Sequence, residues 1–427
     1  MVRYAFFLLL CCCCIVLPLI AYAAVENTSL VEAKAAILID RQTGIVLWEK
    51  NADTRLPIAS TTKIMTAMVI LDLGMDKLDQ QTSISQYAFA TPGSSLLAAG
   101  EILTLRDLLI SALVKSSNTA AVAAAEFLCG NEAEFVKRMN GKAHELGLRN
   151  THFMNPHGLY DPQHYSTARD LAVMARYALT NYPIIRKTIT LGRPPIYIDA
   201  LPRKRVRVEA TDKIINQPVP GIPGSIIDGV KTGFVNEAGK CLVSSATLGQ
   251  WQLIAVVLKS PDHFRECRTL LHYGFSRYTW QTYASAQQPG ANVPLSWGAA
   301  RTIPVGVTEG VLGAPIPKLP YGNEVEDTIV FRGKRPKAPV QQGDVLGELV
   351  LKRDGQDLLS VPAVALQSVP VAWWARLLTV LGYTILVLFI LTVLGKIYGT
   401  RAKNTRRRRR QLQATRRGID PGGPSHS

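Results

Sequence analysis

The sequence predicts an α+β body, then a small all-β domain, then a helix that crosses a membrane. Three observations predict it. Strand-like runs lie at both ends of a long stretch of helical periodicity between Ala35 and Tyr278. After Gln288-Pro289-Gly290 the texture changes to short alternating segments broken by Gly and Pro. Residues 377–395 are apolar and carry no charge. Strands flanking helices in one region favour an antiparallel sheet with helices packed on it.

The elements follow in chain order. Residues 1–23 combine Arg3, an apolar run and Ala21-Tyr22-Ala23, the layout of a cleaved signal peptide, and are set apart from the fold. Four of the seven cysteines, Cys11 to Cys14, leave with them. Lipid attachment at Cys11 is disfavoured, because the apolar stretch before it is short and no small residue precedes it. Cys129, Cys241 and Cys267 remain; they allow one disulfide at most, show no metal-ligand spacing, and fit buried apolar roles.

In the body, placed at 30–285, "AAILIDRQTGIVLWEKN" reads as a hairpin turning at Thr43-Gly44. Helical periodicity then runs through "KIMTAMVILDL", "TLRDLLISALVKSSNTAAVAAAEFLC", "NEAEFVKRMNGKAHELGL" and "TARDLAVMARYALTNY". "KCLVSSATLGQWQLIAVVLKS" reads as two strands joined at Leu248-Gly249-Gln250, and "FRECRTLLHYGFSRY" as a closing helix. The all-β domain is placed at 295–368, on segments such as "ARTIPVGV" and "DTIVFRG", and "QSVPVAWWAR" reads as a linker.

The run 377–395 is long enough to cross the hydrocarbon core of a bilayer. Trp373 and Trp374 precede it and Tyr398 follows, as expected of side chains at the membrane interface. The tail 396–427 contains five consecutive arginines, which favour the cytoplasmic side and leave the body outside. It holds ten basic residues and one acidic, so 10 − 1 = +9 of the net charge of +16 sits there and the body is only mildly basic. The arginine run lacks interleaved aromatics or a folded module, so nucleic acid is not an expected partner; contact with anionic lipid accounts for it.

The chemistry begins at "PIASTTKIM", where Ser60 stands three residues before Lys63. A serine hydroxyl needs a base within hydrogen-bond reach, and the i, i+3 spacing puts both side chains on one helix face. The competing reading is that Ser60 or a neighbouring threonine only caps the helix that follows. Acyl transfer also needs oxyanion donors, an acid for the leaving group and a cationic clamp. "KSSNTAAVAAAE" offers Ser116 and Asn118 where a loop opens into a helix; "DGVKTGF" offers Lys231, Thr232 and Gly233 on a strand edge, with a bare Cα at Gly233 for close approach.

Together and in this order, these stretches resemble the S-x-x-K, S-D-N and K-T-G motifs of penicillin-binding enzymes and serine β-lactamases. With "NPHGLYD" and "YSTARDLA" added, the region Ala35 to Tyr278 resembles the low-molecular-mass D-alanyl-D-alanine carboxypeptidases, and the β domain and anchor fit the same family more loosely. The resemblance implies the penicillin-binding/β-lactamase-like transpeptidase fold. It implies that Ser60 is acylated, Lys63 takes its proton, and Ser116 relays a proton to the departing D-alanine. It implies that Asn118, Lys231, Thr232, Gly233 and Arg265 bind substrate, with the backbone N–H groups of Ser60 and Phe234 as the oxyanion hole. The expected partners are peptidoglycan stem peptides, β-lactams as inhibitors, and the cytoplasmic membrane; no metal or cofactor is implied. Thr119 departs from the family's aspartate, and "VEATDKIINQPVPGIPGS" departs more freely.

A β-lactamase needs a glutamate to activate water, and Glu145 lacks the expected spacing to Asn150. A Ser-His-Asp hydrolase would use His157, more simply read as a turn residue. "GSIIDGVKT" is no phosphate loop, since Val230 separates the glycine from the lysine. A non-catalytic wall-binding scaffold and an endopeptidase acting on cross-links remain the rivals.

Overall fold

Alternation along the first strand sets the layers of the molecule. In the computed structural model β1 (Ala35–Asp40) is buried along its whole length, with Ala35, Ile37 and Ile39 in one core and Ala36 and Leu38 in another. Side chains two apart share a face of a strand, so this sheet is covered on both sides. The structure describes residues 29–417 except 94–95, 193, 203–204, 287, 309 and 319–324. The signal-peptide reading of residues 1–23 lies outside the described residues.

The principal elements of the first unit are β1, β2 (Val46–Lys50), α1 (Lys63–Gly74), α2 (Leu105–Val114), α3 (Asn118–Cys129), α4 (Glu132–Glu145), α5 (Ala168–Asn181), β3 (Ser225–Val235), β4 (Gly239–Leu248), β5 (Trp251–Ser260) and α6 (His263–Arg277). The sheet has the order β2-β1-β5-β4-β3 and every pair is antiparallel. The hairpin turns where the sequence places it: Thr43 donates from its backbone N–H (2.6 Å) and hydroxyl (2.5 Å) to the Asp40 carboxylate, and Gly44 takes φ +77°. Helices α1 to α5 supply the core on one face; α6, through Cys267, Leu270, Leu271 and Phe275, covers the other. Cys241 and Cys267 belong to these different cores, and all three cysteines are free thiols.

Two local features place the chemistry. Helix α1 is apolar on nearly every side, the pattern of a central helix, and only Asp72 and Leu73 escape burial. The long helical run through 105–129 breaks at Lys115 to Ser117. Ser116 takes φ +65°, and Ser117 accepts the Ala120 N–H at 3.2 Å to start α3. The segment "GSIIDGVKT" lies almost wholly in strand β3.

The described residues fall into two units, those within Met1–Gln281 and Gly313–Val325, and those within Thr282–Leu312 and Glu326–Ser427. The second contains an antiparallel five-stranded sheet in the order Ala291–Pro294, Thr302–Gly306, Gln356–Ala365, Val345–Arg353, Asp327–Arg332. The expected linker is in part ordered structure: Val369 bridges Val340, Val371 bridges Gly298, and a helix begins at Trp373. That helix runs from Trp373 to Arg417, and its apolar part is long enough to cross a membrane.

Asp228 of β3 braces the sheet's edge. It accepts from Ser245 Oγ (2.6 Å) and Thr247 Oγ1 (2.5 Å) of β4, and both its oxygens lie 2.9 Å from Gln252 Nε2 of β5. Asp228→Ala strands these buried donors, and is expected to destabilise the first unit by about 3 kcal/mol, measured by denaturant unfolding.

Candidate active site

Ser60 lies in a single 3₁₀ turn, Ala59–Thr62, that feeds directly into α1. The capping reading fails here: Thr62 is the N-cap and makes no side-chain cap bond, while the hydroxyls of Thr61 and Thr62 donate back to Ile58 O and Ala59 O, both at 2.7 Å. Lys63 is fully buried one turn from Ser60, and its Nζ lies 3.0 Å from Ser60 Oγ.

Two more oxygens surround that amine, Asn118 Oδ1 at 2.6 Å and the backbone carbonyl of His157 at 2.7 Å. The orientation of the Asn118 amide follows from its neighbours. Its Nδ2 donates to Pro92 O at 2.5 Å, so its oxygen must face Lys63. Both carbonyls can only accept. A neutral amine gives them its two hydrogens and turns its lone pair to the Ser60 hydroxyl, the arrangement a general base requires. Burial, with a second contribution from the cation of Lys231, holds Lys63 well below the ordinary lysine range.

The His157 carbonyl is positioned by its own turn. Asn155 Oδ1 accepts from Gly158 N (2.6 Å), and Asn155 Nδ2 donates to Leu159 O (2.9 Å). Leu159 N–H donates to His157 Nδ1 at 3.2 Å, so the ring proton sits on Nε2, 3.3 Å from Glu132 Oε1. Burial lowers the His157 pKa despite that carboxylate, and both ring nitrogens are engaged with Leu159 and Glu132 rather than with Ser60. Gly158, at φ +87°, fits where a Cβ would stand 2.0 Å from Ala59 O.

Strand β3 closes the other side. Lys231 is buried behind the wall, with Nζ 3.1 Å from Thr232 O; burial pushes its pKa down to about 7, against the pull of Asp212. Thr232 Oγ1 lies 2.7 Å from Thr211 Oγ1. A Cβ on Gly233 would stand 2.9 Å from Ile58 O and 3.2 Å from Ser60 N, so only glycine lets the strand approach the nucleophile's backbone this closely. Between these walls lies a cavity of about 570 Å³, lined among others by Ser60, Ser116, Asn118, Thr232, Gly233 and Phe234.

The structure thus brings together Ser60, Lys63, Ser116, Asn118, Lys231, Thr232, Gly233 and Phe234. It does not bring Arg265. Two residues along a helix turn the side chain about 200° from the position of His263. The Arg265 guanidinium is 61% exposed and paired with Glu32 at 2.9 Å, while His263 and Phe264 line the cavity. Glu145 also stays out, exposed on α4 beside Lys142 at 3.8 Å. Sequence reasoning missed the His157 carbonyl, since a backbone atom leaves no residue-type signal. It also missed Thr211 and Lys213, which lie in the stretch that departs most from the motif pattern, and His263, at the start of α6.

The profile of the D-alanyl-D-alanine carboxypeptidase family matches residues 22–262, more than half of the chain. The chain belongs to that family. Among its relatives, the D-alanyl-D-alanine carboxypeptidase DacF of Bacillus subtilis is 38% identical over 341 residues, covering 78% of this chain and 85% of DacF. A D-alanyl-D-alanine endopeptidase of Pseudomonas aeruginosa is 37% identical over 226 residues, covering 52% of this chain and 70% of that protein. The crystal structure of penicillin binding protein 5 from Haemophilus influenzae superposes with a TM-score of 0.62 at 28% identity, over 81% of this chain and all of that one. In this serine-type enzyme Ser60 stands on the turn before a buried helix.

Acylation of Ser60 by a thioester should rise with pH as Lys63 loses its proton, and fall as Lys231, held at about 7, loses its own. Lys63→Arg puts a permanent cation where the site needs a base, and is expected to slow acylation by about 10³-fold, measured by stopped-flow or quench.

Proposed function

We propose that this carboxypeptidase removes the terminal D-alanine from peptidoglycan stem peptides through an acyl-enzyme on Ser60. The observation that carries the reading is the uncharged set of acceptors around Lys63 Nζ, 3.0 Å from Ser60 Oγ, at the floor of an open cleft.

Ser60 Oγ attacks the carbonyl of the penultimate D-alanine and its proton passes to Lys63 Nζ. The backbone N–H groups of Ser60 and Phe234 receive the oxyanion; removing one such donor typically costs about 2.7–4 kcal/mol of barrier. Ser116, on the opposite wall, delivers its proton to the departing amine and is resupplied with the proton Lys63 took from Ser60, so D-alanine leaves and Lys63 is again neutral. Water then attacks the ester, giving a proton to Lys63, which passes it to Ser60 Oγ as the shortened peptide is released. Lys231 supplies positive field from behind the wall, Asn118 and Gly233 border the peptide, and Thr232 faces its carboxylate. Penicillins enter the same route, but their opened ring keeps the leaving nitrogen tethered at the site, so the ester persists.

Supported by the apolar helix at Trp373–Arg417 and the arginine-rich end of that helix, the reading places the catalytic unit outside the cytoplasmic membrane and the tail inside. An endopeptidase reading is favoured only by the similarity to the Pseudomonas aeruginosa protein.

Purified full-length protein should be labelled covalently by a fluorescent penicillin, and Ser60→Ala should abolish the label. Mass analysis of pentapeptide-bearing wall fragments is expected to show loss of one alanine. Cleavage of cross-linked dimers with the pentapeptide left intact would instead establish the endopeptidase.

A further inference from the structure

The helix Trp373–Arg417 is not joined to the β unit by a bare tether. Three segments of that unit, 296–301, 334–340 and 369–372, gather at its first turn. The Ala372 N–H donates to Trp297 O at 2.8 Å, and the Ala299 N–H to Pro370 O at 2.9 Å. The Ser296 N–H donates to Pro336 O and the Ala338 N–H to Ser296 O, both at 2.9 Å. Ala372 and Ala375 are buried where the helix starts. The ring of Trp297 stacks with that of Trp374, centroids 6.3 Å apart and planes inclined by 28°.

This surface is both aromatic and cationic. Trp297, Trp373 and Trp374 are 47%, 74% and 45% exposed, and Trp297 holds φ +66°, an outlying backbone for so bulky a residue. Arg301, Lys334, Arg335, Lys337 and Arg376 are all exposed, and neither the three segments nor the first turn of the helix contains an aspartate or glutamate. Among the described residues, the ion pairs of this unit join Arg332 and Lys352 to Asp357 and Arg353 to Asp327, and leave those five cations out.

The helix sets the depth. Trp374 stands three residues, about 4.5 Å of helix rise, before the uncharged run that begins at Leu377. The headgroup layer on each side of a bilayer is about 5–7 Å thick. Trp374 therefore falls inside that layer, and Trp297 lies one ring contact away from it. Indole rings favour this layer, and exposed cations beside it meet lipid phosphates.

We propose that this face of the β unit is a second membrane contact: Trp297 enters the headgroup layer beside Trp373 and Trp374, while Arg301, Lys334, Arg335, Lys337 and Arg376 engage the phosphates of anionic phospholipid. The inference rests on the reading that the helix crosses the cytoplasmic membrane with the body outside, and goes beyond it. The β unit then lies on the bilayer in one orientation instead of turning freely about the helix. The turn at Asp354-Gly355 stays in water, since it stands nine residues, about 30 Å, along the strand Val345–Arg353 from the end that leads through Ala365 and Val369 to the helix.

The test places the photo-crosslinking residue p-benzoylphenylalanine in place of Trp297, or of Gln356 beside the distant turn, in the full chain reconstituted into vesicles. The vesicles are phosphatidylcholine alone, or phosphatidylcholine with phosphatidylglycerol. Irradiation should give a covalent phospholipid adduct, read by mass, at position 297, with about tenfold less at position 356. Combining Lys334→Gln, Arg335→Gln and Lys337→Gln should lower the yield at 297 by about fivefold in the phosphatidylglycerol vesicles, with covalent labelling by penicillin unchanged. Equal yields at 297 and 356, or an adduct at 297 to a second protein chain in place of lipid, would overturn the proposal. If the benzophenone disturbs its loop, hydrogen exchange of the wild-type segments 296–301 and 334–340 decides: slower exchange in phosphatidylglycerol vesicles than in detergent supports the contact, and equal rates refute it. Washing with alkaline carbonate separates the two readings. A chain stripped from the vesicles fails the membrane-crossing reading and this contact with it, whereas a chain that resists the wash yet gives no lipid adduct at 297 fails the contact alone.

Discussion

An amine buried without a counter-ion is the constraint on which the site depends. Every hydrogen-bond partner of Lys63 Nζ is uncharged: a hydroxyl, a side-chain amide and a backbone carbonyl. The charged form is therefore poorly solvated, and the second buried lysine of β3 penalises it further. Much of the surrounding architecture serves this condition. The all-round apolar character of α1 brings Lys63 into the core, the turn at Asn155 to Leu159 aims a carbonyl at it, and α3 begins where its first residue can supply an amide oxygen. The same environment that makes the amine a base would be destabilising if either carbonyl acceptor were withdrawn.

The second demand is closeness. The nucleophile's backbone is approached from two sides by chain that carries no side chain at the point of contact, Gly158 from the turn and Gly233 from the edge strand. Ala59 itself takes φ +48°, an uncommon conformation for a residue with a Cβ, held between those two neighbours. Asp228 anchors the same edge strand from within the sheet, so the position of Thr232 and Gly233 is fixed by hydrogen bonds several residues away from the cleft.

Much of this was legible in the sequence, and the reasons are physical. The hairpin at Thr43-Gly44, the central helix after Lys63 and the strand pair around Gly249 follow from periodicity and turn chemistry, which act over a few residues. Ser60, Lys63, Ser116, Asn118, Lys231 and Thr232 were legible because their chemistry resides in side chains at characteristic spacings. The His157 carbonyl was not, because any residue type offers the same atom. Arg265 was expected in the cleft from the resemblance, and a match of residue type does not fix direction: at the start of a helix, a shift of two positions moves a side chain from the cleft to the opposite face. The break at Ser116 was legible only in part, since an alanine-rich run with good helix propensity hides a single residue of positive φ.

The paired hydroxyls of Thr211 and Thr232 carry a further consequence. At 2.7 Å the two oxygens share one proton between them, and either can supply it. When Thr232 turns its hydrogen outward to an anion, Thr211 must reverse its own and donate inward, so the two O–H dipoles align head to tail toward the ligand and each strengthens the other. Thr211 thereby acts as a relay of orientation: a residue outside every sequence motif sets the direction in which a motif residue can point.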